Sequence, residues 1–526
     1  MQVRLTGYGG AGEIGGNAFL LDDGRSRLFL DFGKRFGGAN TKQEFGKVPG
    51  WGDYYDLFMK PRGGHQVHDL VALGLLPPLP NLYRSDMGEA PTLHAGGRGL
   101  DGVLVSHPHS DHYGSIGYLR QDTPVHLSPI AKLTLASVQK TGMGGPDDSF
   151  VRFKPAAEEM PRTSKERGAD EVLAAMPERV LDTAARFQVG DWAVERHDVD
   201  HSIHGAAGFI LEHKNGPRIA YSGDLRLHGR HKERTEKFLR QAQGADVLLI
   251  EGTRVGGSHA HGDPVGKPLT EQEVGRNIQE RLVAADVADT KGFVAVAYPP
   301  RDLDRLVSIA EAARRSGRKL VITPKQAHLL WTLHGEGHVD EVMDPLASSD
   351  LVVLVSDDQR AAQDAGKERK ASGRTAWGLW TDDVAQLDAA LHRAGKTVTL
   401  DEVASDLRGH LVTMGSFTLN LLPGLLKPGQ GNGLFVHSQT QPFNDEGVIR
   451  DFKLKRWLDH FGLVEVQQHV SGHLSQDDLM HALDESGCKT LVPIHTEHPE
   501  LSARHYQAAR SGGVVKLPAP GQPIDL

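Results

Sequence analysis

The sequence predicts an α/β protein in which two strand-rich regions flank a segment of alternating strands and helices. Runs of apolar residues separated by glycines fill the first part, and short strands return towards the end. In the middle, apolar residues at helical spacing lie between two short apolar runs, which indicates parallel strands joined by a helix. We therefore divide the chain into segments 1–230, 231–409 and 410–526.

Each element follows from a local pattern. Strands are predicted at VRLTGYG, NAFLLDDG, SRLFLDFG, DGVLVSH, TPVHLSP, GDWAVERHDVDH, AGFILEHKNG and PRIAYSGD in the first segment. In the middle segment they are predicted at ADVLLIEG, GFVAVAYPP and KLVITPKQA, with the helix RDLDRLVSIAEAARRSG before the last, and LFVHS and TLVPIH follow in the third. Residues 34–99 and 141–167 are predicted to be irregular insertions. The glycines of GYGGAGEIGG fit a tight turn between strands better than a dinucleotide-binding fingerprint, because no helix or acidic residue follows at the required place.

Composition restricts the classes of protein. A chain of 526 residues is longer than one hydrophobic core usually organises, so two or more domains are expected. Its 39% hydrophobic and 24% charged residues are typical of a soluble globular protein. The single cysteine, Cys488, excludes an intrachain disulfide, and no apolar run approaches the roughly 20 residues of a membrane span. The start MQVRLTGYGG lacks the features of a signal peptide, so we expect a cytoplasmic protein without a membrane. The net charge of −9 argues against an evenly basic nucleic-acid binder.

Four ligand-type side chains crowd into the stretch GVLVSHPHSDH: His107, His109, Asp111 and His112. His107 and His109 are two residues apart after an apolar strand and can point to one side, while Asp111 and His112 come at the turn into a helix. Four ligands so close together suit two ions better than one. Imidazole and carboxylate ligands without a thiolate favour Zn²⁺, with Mn²⁺ as the alternative.

Three more ligand-type residues stand directly after apolar strands elsewhere in the chain. His201 follows VERHDVD, Asp224 follows IAYSG, and His495 follows TLVPI. This arrangement is expected when one edge of a sheet presents a site. The sequence therefore predicts a two-metal centre.

These motifs, HxHxDH, then HS, SGD and a final histidine, resemble the signature of the metallo-β-lactamase fold, an αββα sandwich. The resemblance also assigns Asp31 of FLDFG as a buried carboxylate that orients the site without ligating a metal. It implies that one ion is held by His107, His109 and His201, the other by Asp111, His112 and His495, with Asp224 bridging them.

Glu251 in LLIEGTR, His473 in SGHLSQDD and His495 further resemble the motifs of the β-CASP group, the nucleic-acid-processing branch of this fold. In that group a parallel-sheet α/β domain interrupts the hydrolase, as residues 231–409 would here. A histidine at the last motif resembles the RNA-cleaving members. GYGGAGEIGGNAFLL, VDHSIHGAAGFIL and LVPIHTEH are similar to bacterial and archaeal ribonuclease J.

His473 and Ser475 precede a predicted helix, whose N-terminus favours an anion such as a phosphate. Ser475 fits the N-cap of that helix equally well. Arg305 is either a phosphate contact or an exposed helical arginine. Three residues after strands resemble loops that hold a nucleotide chain, or else form turns: Ser416, Ser438 and Asn444.

Some features depart from the family. His204 stands where ribonuclease J usually has proline, and His259 and His261 are extra imidazoles that either bind a metal or lie in a glycine-rich loop. Since the chain ends 31 residues after His495, we expect the family's separate C-terminal domain to be absent.

The resemblance implies a two-metal phosphodiesterase acting on RNA as an exo- or endonuclease, in which a hydroxide bridging the metals attacks phosphorus. The products would be a 5′-phosphate and a 3′-hydroxyl. The alternatives are a DNA nuclease of the same fold, a small ester or lactone hydrolase, and an inactive nucleic-acid-binding partner. Self-association into a homo-oligomer stays open. The residues predicted to serve catalysis are Asp31, Asp111, Glu251 and His473.

Overall fold

The structure is a computed structural model. It describes residues 2–37, 49–56, 58–88, 98–142, 145–155, 175–256, 269–287, 292–338, 342–364, 374–375, 378–379, 382–428, 433–442, 445–510 and 512–526. Asn444, His259 and His261 lie outside the described residues, as do parts of both predicted insertions.

The strands, numbered in chain order over the described residues, are β1 (Arg4–Gly9), β2 (Ala18–Asp22), β3 (Arg27–Leu30), β4 (Gly102–Leu104), β5 (Val125–His126), β6 (Leu181–Asp182), β7 (Arg186–Val189), β8 (Trp192–Asp198), β9 (Ala207–His213), β10 (Arg218–Tyr221), β11 (Val247–Glu251), β12 (Val294–Ala297), β13 (Lys319–Ile322), β14 (Leu351–Leu354), β15 (Arg374–Thr375), β16 (Gly378–Leu379), β17 (Thr397–Val398), β18 (His410–Thr413), β19 (Gly433–His437), β20 (Leu463–Gln467), β21 (Thr490–Ile494), β22 (Val514–Val515) and β23 (Pro523–Asp525).

The α-helices of the same residues are α1 (Gln66–Ala72), α2 (Ser110–Tyr113), α3 (Pro129–Thr141), α4 (Lys232–Ala242), α5 (Glu271–Val287), α6 (Leu303–Arg315), α7 (Pro324–Gly335), α8 (Asp357–Asp364), α9 (Asp382–Arg393), α10 (Leu400–Ser405), α11 (Leu422–Leu425), α12 (Asp445–Phe461), α13 (Gln476–Glu485) and α14 (Pro499–Ala509). Short 3₁₀ helices span Trp51–Asp53, Ser85–Met87, Ile116–Tyr118, Pro146–Asp148, Leu407–Gly409 and Leu419–Leu421. None of the described helices is both long and apolar enough to cross a bilayer.

Two seven-stranded sheets pack face to face. Their strand orders are β23–β1–β2–β3–β4–β5–β6 and β22–β21–β11–β10–β9–β8–β7. Apolar side chains of both sheets, including Phe19, Trp192 and Phe209, fill the space between them. On the outer faces, α1 and α3 cover the first sheet, and α4, α13 and α14 cover the second. The layers are therefore helix, sheet, sheet and helix, which confirms the predicted αββα sandwich.

A third sheet of seven strands, in the order β17–β14–β13–β18–β12–β19–β20, is parallel throughout. Apolar clusters line both of its faces, with α5, α6 and α7 on one side and α10 and α12 on the other. Burial on both faces explains why its strands are short uninterrupted apolar runs such as VAVA and LVVL. The predicted parallel-sheet α/β insertion is confirmed.

The sheets place the boundaries of the inserted domain at other residues than those predicted from the sequence. Strand β11 pairs with β10 and β21 in the sandwich, although it follows residue 230. Strands β18, β19 and β20 belong to the parallel sheet, although they follow residue 409. By sheet membership the inserted domain therefore begins after residue 251 and extends through residue 467. Residues 231–251 and 410–467 were predicted on the wrong sides because a buried strand carries no local mark of the sheet that it joins.

Candidate metal centre

The seven predicted metal ligands come together at one edge of the sandwich, where strands end. Residues 107–112 follow β4, His201 follows β8, Asp224 follows β10, and His495 follows β21. Because β10, β11 and β21 are parallel neighbours, their carboxyl ends meet at the same edge. One prediction needs refinement: Asp111 and His112 lie within the short helix α2 and not at the turn before a helix.

His107, His109 and His201 form the first ligand group. His109 Nδ1 lies 3.0 Å from His107 Nε2 and 3.1 Å from His201 Nε2. Burial lowers the pKa of His107 and His201 well below the ordinary value and that of His109 to about 3. The three imidazoles are therefore neutral at physiological pH, as metal coordination requires.

Asp111, His112 and His495 form the second group. Asp111 Oδ2 lies 3.3 Å from His495 Nε2 and 3.6 Å from His112 Nε2. The rings of His112 and His495 stack with their centroids 5.2 Å apart. The distances from Asp111 Oδ2 to the two imidazole nitrogens are close to those between neighbouring ligand atoms of one ion.

Asp224 lies between the two groups. Its Oδ2 is 3.1 Å from His112 Nε2 and 3.7 Å from His495 Nε2 on one side, and 3.6 Å from His107 Nε2 on the other. Burial acts to raise the pKa of Asp224, but the imidazoles of His112 and His495 hold it well below its usual range. The carboxylate is thus an anion at the position expected of a bridging ligand.

The donor set fits a pair of divalent cations. Zinc–ligand bonds of about 2.0–2.1 Å in tetrahedral geometry hold neighbouring ligand atoms about 3.3 Å apart, close to the separations found here. Asp224 Oδ1 is buried and has no hydrogen-bond partner among the described residues. A buried oxygen of this kind needs a partner, and a cation supplies one.

Asp31 forms a hydrogen bond with the ring nitrogen of His112 that would not bind a metal. The Nδ1–H of His112 donates to Asp31 Oδ2 at 2.7 Å, and Tyr221 Oη donates to the same oxygen at 2.5 Å. Ser106 donates through its amide to Oδ1 and through its hydroxyl to Oδ2. Asp31 has φ 57°, a strained conformation for a non-glycine residue that the surrounding hydrogen bonds maintain. The role of Asp31 as an orienting carboxylate stays a prediction.

His495 is held by a second hydrogen-bonded chain. Thr253 Oγ1 donates to Glu251 Oε2 at 2.6 Å and accepts from His495 Nδ1–H at 2.8 Å. His495 also has a left-handed backbone, with φ 50°. Its amide donates to Gly10 O in the β1–β2 turn at 2.8 Å. Glu251 therefore acts on this metal ligand through Thr253.

The glycine-rich turn packs against the ligand loop. It joins the antiparallel strands β1 and β2, which confirms the predicted hairpin turn. Gly15 has φ +82°, and a Cβ there would lie 3.0 Å from Asp111 Oδ2. A Cβ on Gly33 would clash with Asp111 O at 1.7 Å. Glycine is required at both positions because the backbone approaches the metal ligand so closely.

His473 faces the centre from the loop before α13. Its Nδ1 lies 3.2 Å from Glu251 Oε1 and 3.8 Å from Asp224 Oδ2, and its side chain is 17% exposed. Burial acts to lower the pKa of His473, but Glu251 and Asp224 outweigh it and raise the pKa. An imidazole at the rim of the site with a raised pKa can donate a hydrogen bond to a phosphate oxygen.

Two of the other predicted substrate contacts, Ser475 and Ser438, make hydrogen bonds within the protein. Ser475 accepts the amide N–H of Asp478 at 3.0 Å, so it is the predicted N-cap of α13. Ser438, after β19, is fully buried and donates to Gln468 O. Ser416 is exposed after β18.

Arg305 is neither an exposed helical arginine nor available to a phosphate. Its guanidinium is fully buried and donates to Glu271 Oε1 at 2.7 Å and Oε2 at 3.0 Å. It also donates to Ser438 Oγ at 2.6 Å. Both alternatives drawn from the sequence were wrong, because helical spacing does not reveal a buried carboxylate on a neighbouring helix.

Arg301 is a residue that the sequence patterns missed. It follows β12 in the inserted domain, and its Nη1 donates to Pro108 O at 2.8 Å, between two metal ligands. Thr253 and Ser106 were missed as well. The only signal in the sequence is their position: Ser106 precedes His107, and Thr253 follows Glu251 by two residues at a strand end.

The sequence and the fold are similar to those of known proteins. Residues 75–270 match the profile of the Beta-lactamase superfamily domain. The chain is 21% identical over 473 residues to Ribonuclease J of Sinorhizobium meliloti, which covers 88% of this chain and 69% of that protein. It is 22% identical over 520 residues to Ribonuclease J of Mycolicibacterium smegmatis, which covers 97% of this chain and 72% of that protein.

Among solved structures, a protein of unknown function from Enterococcus faecalis V583 superposes with a TM-score of 0.64 at 21% identity, covering 100% of both chains. Residues 75–270 thus match the Beta-lactamase superfamily domain, and the αββα sandwich is the predicted metallo-β-lactamase fold. The chain is similar over most of its length to ribonuclease J, so the resemblance seen in the motifs is confirmed. The prediction of a hydrolytic enzyme is confirmed with it.

Proposed function

We propose that this chain is a two-metal phosphodiesterase that cleaves RNA, with Zn²⁺ as the preferred ion and Mn²⁺ as the alternative. The observation that carries the proposal is the position of Asp224 Oδ2, within 3.1–3.7 Å of His112 Nε2, His107 Nε2 and His495 Nε2. A carboxylate between two ligand groups is the arrangement that a pair of cations needs. When bound, such a pair supplies an activated water and neutralises charge on a phosphate.

The chain's own residues would orient the substrate and the ligands. His473, with its pKa raised by Glu251 and Asp224, donates a hydrogen bond to a phosphate oxygen or gives a proton to the departing oxygen. Glu251 fixes the ring of His473 directly and that of His495 through Thr253. Asp31 fixes His112. The assignment to RNA rests on the relatives named ribonuclease J and on His495 at the last motif.

A competition assay tests the proposal. The protein is incubated with 5′-monophosphorylated and 5′-triphosphorylated RNAs and with DNA of the same sequence, in Zn²⁺ or Mn²⁺, and product lengths are resolved. We expect RNA to be cleaved to products with 5′-phosphates, with loss of activity in His201→Ala. His481→Ala on the exposed face of α13 is the matched control, since its side chain is 71% exposed.

His473→Ala separates the alternatives. If RNA is the substrate, this variant loses most of the cleavage activity while it keeps the metal content of the wild type. Cleavage of DNA in preference to RNA would establish the DNA nuclease instead. Hydrolysis of small esters or lactones that survives in His473→Ala, without cleavage of RNA, would establish the small-molecule hydrolase. The cytoplasmic location and self-association remain predictions.

A further inference from the structure

A second cluster of metal-ligating side chains lies outside the centre described above. It consists of His204, His231 and Asp304, whose ligand atoms all lie within 4.8 Å of one another. His204 is in the loop after β8, His231 precedes α4, and Asp304 is in the first turn of α6. Two of the three residues thus belong to the sandwich and the third to the inserted domain.

We propose that His204, His231 and Asp304 bind a third divalent cation, of the zinc class, which fastens the inserted domain to the sandwich. Asp304 Oδ1 lies 3.8 Å from His204 Nε2 and 3.8 Å from His231 Nε2. One carboxylate oxygen therefore faces both imidazoles. Both distances are about 0.5 Å longer than the separation of about 3.3 Å that a tetrahedral zinc ion imposes, and all three ligand atoms lie within 4.8 Å of one another.

The ligand types favour a transition metal over Ca²⁺ or Mg²⁺. Two imidazoles and one carboxylate form a set that binds zinc, whereas Ca²⁺ and Mg²⁺ prefer oxygen ligands alone. The fourth position can be taken by water, because the His231 side chain is 28% exposed whereas those of His204 and Asp304 are 6% and 5% exposed. The same opening provides the path by which the ion enters.

Buried hydrogen bonds hold two of these ligands in place. Asp304 Oδ2 accepts from Arg226 Nη2 at 2.7 Å, which turns Oδ1 towards the imidazoles. The backbone N–H of His231 donates to Asp200 Oδ2 at 2.9 Å, and Asp200 Oδ1 accepts from Arg226 Nε at 2.9 Å. Supporting contacts of this kind fix the orientation of metal ligands and sustain their affinity.

The local charge also favours a cation. Three carboxylates surround the guanidinium of Arg226. Its nitrogens lie 2.9 Å from Asp200, 2.7 Å from Asp304 and 3.9 Å from Glu271. Glu271 is shared with one further guanidinium, that of Arg305. These three buried carboxylates outnumber the two guanidiniums that pair with them, and Oδ1 of Asp304 faces the two imidazoles. A bound divalent ion would add positive charge beside Asp304.

The second cluster shares no residue with the seven predicted ligands of the main centre. His204 follows His201 by three residues, but its ligand atom groups with those of His231 and Asp304. Loss of this site should therefore leave the main centre able to bind its own ions.

Metal stoichiometry tests the inference without reference to activity. The full chain is freed of metal with a chelator, titrated with Zn²⁺, desalted, and its zinc measured by inductively coupled plasma mass spectrometry. We expect His231→Ala and His204→Ala each to bind one equivalent fewer than the wild type, and His481→Ala to bind the same amount. His231→Ala is the variant least able to disturb folding, because its ring is partly exposed.

Hydrogen exchange tests whether the third ion links the inserted domain to the sandwich. Saturating Zn²⁺ should slow amide exchange in α6 (Leu303–Arg315) more in the wild type than in His231→Ala, because only the wild type binds the third ion. Equal zinc content in the wild type and both variants would overturn the proposal. So would a loss in His481→Ala as large as that in His231→Ala, since it would show adventitious binding to surface histidines.

Discussion

Replacing Asp31 with asparagine removes the carboxylate that pairs with His112, one of the predicted metal ligands. Asp31 accepts hydrogen bonds from the ring of His112, from Tyr221 Oη and from both the amide and the hydroxyl of Ser106. Asparagine offers one acceptor oxygen and one NH₂ group in place of two acceptor oxygens. In either orientation of the amide, its NH₂ group faces a buried donor, and that donor is left without an acceptor.

The magnitude follows from those contacts. One buried donor left without an acceptor costs about 1–3 kcal/mol of folding free energy, and the loss of a hydrogen bond to a charged group costs about 1.5–3 kcal/mol. Removal of a partner that orients a metal ligand lowers metal affinity about 10–100-fold. We therefore expect Asp31→Asn to weaken zinc binding by that factor and to lower the free energy of unfolding by a few kcal/mol.

Zinc affinity is measured by competition with a chromophoric chelator, and stability by urea unfolding of the metal-free protein. Asp23→Asn is the matched control, because Asp23 is a buried carboxylate that pairs with His213 Nε2 at 3.1 Å, away from the centre. It should lose stability and keep its zinc affinity. Unchanged zinc affinity in Asp31→Asn, or an equal loss of affinity in Asp23→Asn, would refute the assigned role of Asp31.

Three further predictions follow from the contacts around the centre. Arg305→Met leaves the carboxylate of Glu271 buried without its bidentate partner, so urea unfolding should show a loss of about 3–5 kcal/mol; a stable variant that has lost only RNA affinity would contradict the buried position of Arg305. Thr253→Val breaks the hydrogen-bonded path from Glu251 to His495, so cleavage rate and zinc affinity should each fall about 10–100-fold, and unaltered kinetics would exclude that path. Chelation should abolish activity and lower the melting temperature in calorimetry, because the ligands then lose the cations that hold them together, and Zn²⁺ or Mn²⁺ should restore both; activity that persists after complete removal of metal would exclude a metal mechanism.

The grouping of the predicted ligand residues could be expected from the sequence because these residues follow strands. A histidine or aspartate within three residues of a strand end is a local signal, and His201, Asp224 and His495 each carry it. The neutral state of His107 was not predictable, since it depends on burial by residues distant in the chain. Thr253 was overlooked for a similar reason: a threonine after a strand is common, and only its contact with His495 gives it a role.

The fold was predicted to the level of layers, and the errors concern which sheet a strand joins. The runs LLIEG and LFVHS have the same apolar character, yet β11 lies in the sandwich and β19 lies in the parallel sheet. Pairing is decided by contacts between strands that are far apart in sequence, such as Ile250 with Pro493. A change in composition near residues 230 and 410 therefore predicted the existence of an inserted domain but not its limits.

The contacts between the domains suggest why the inserted domain matters to the centre. Arg301 donates to Pro108 O, and Pro108 separates His107 from His109. Burial is the first cause of the low pKa of His109, and the Arg301 guanidinium acts in the same direction. A displacement of the inserted domain would remove a hydrogen bond from the ligand loop and a positive charge from beside one of its imidazoles. The position of this domain is therefore coupled to the first ligand group, and interactions that hold the two parts together, such as the Arg226–Asp304 pair, support the geometry of the metal ligands.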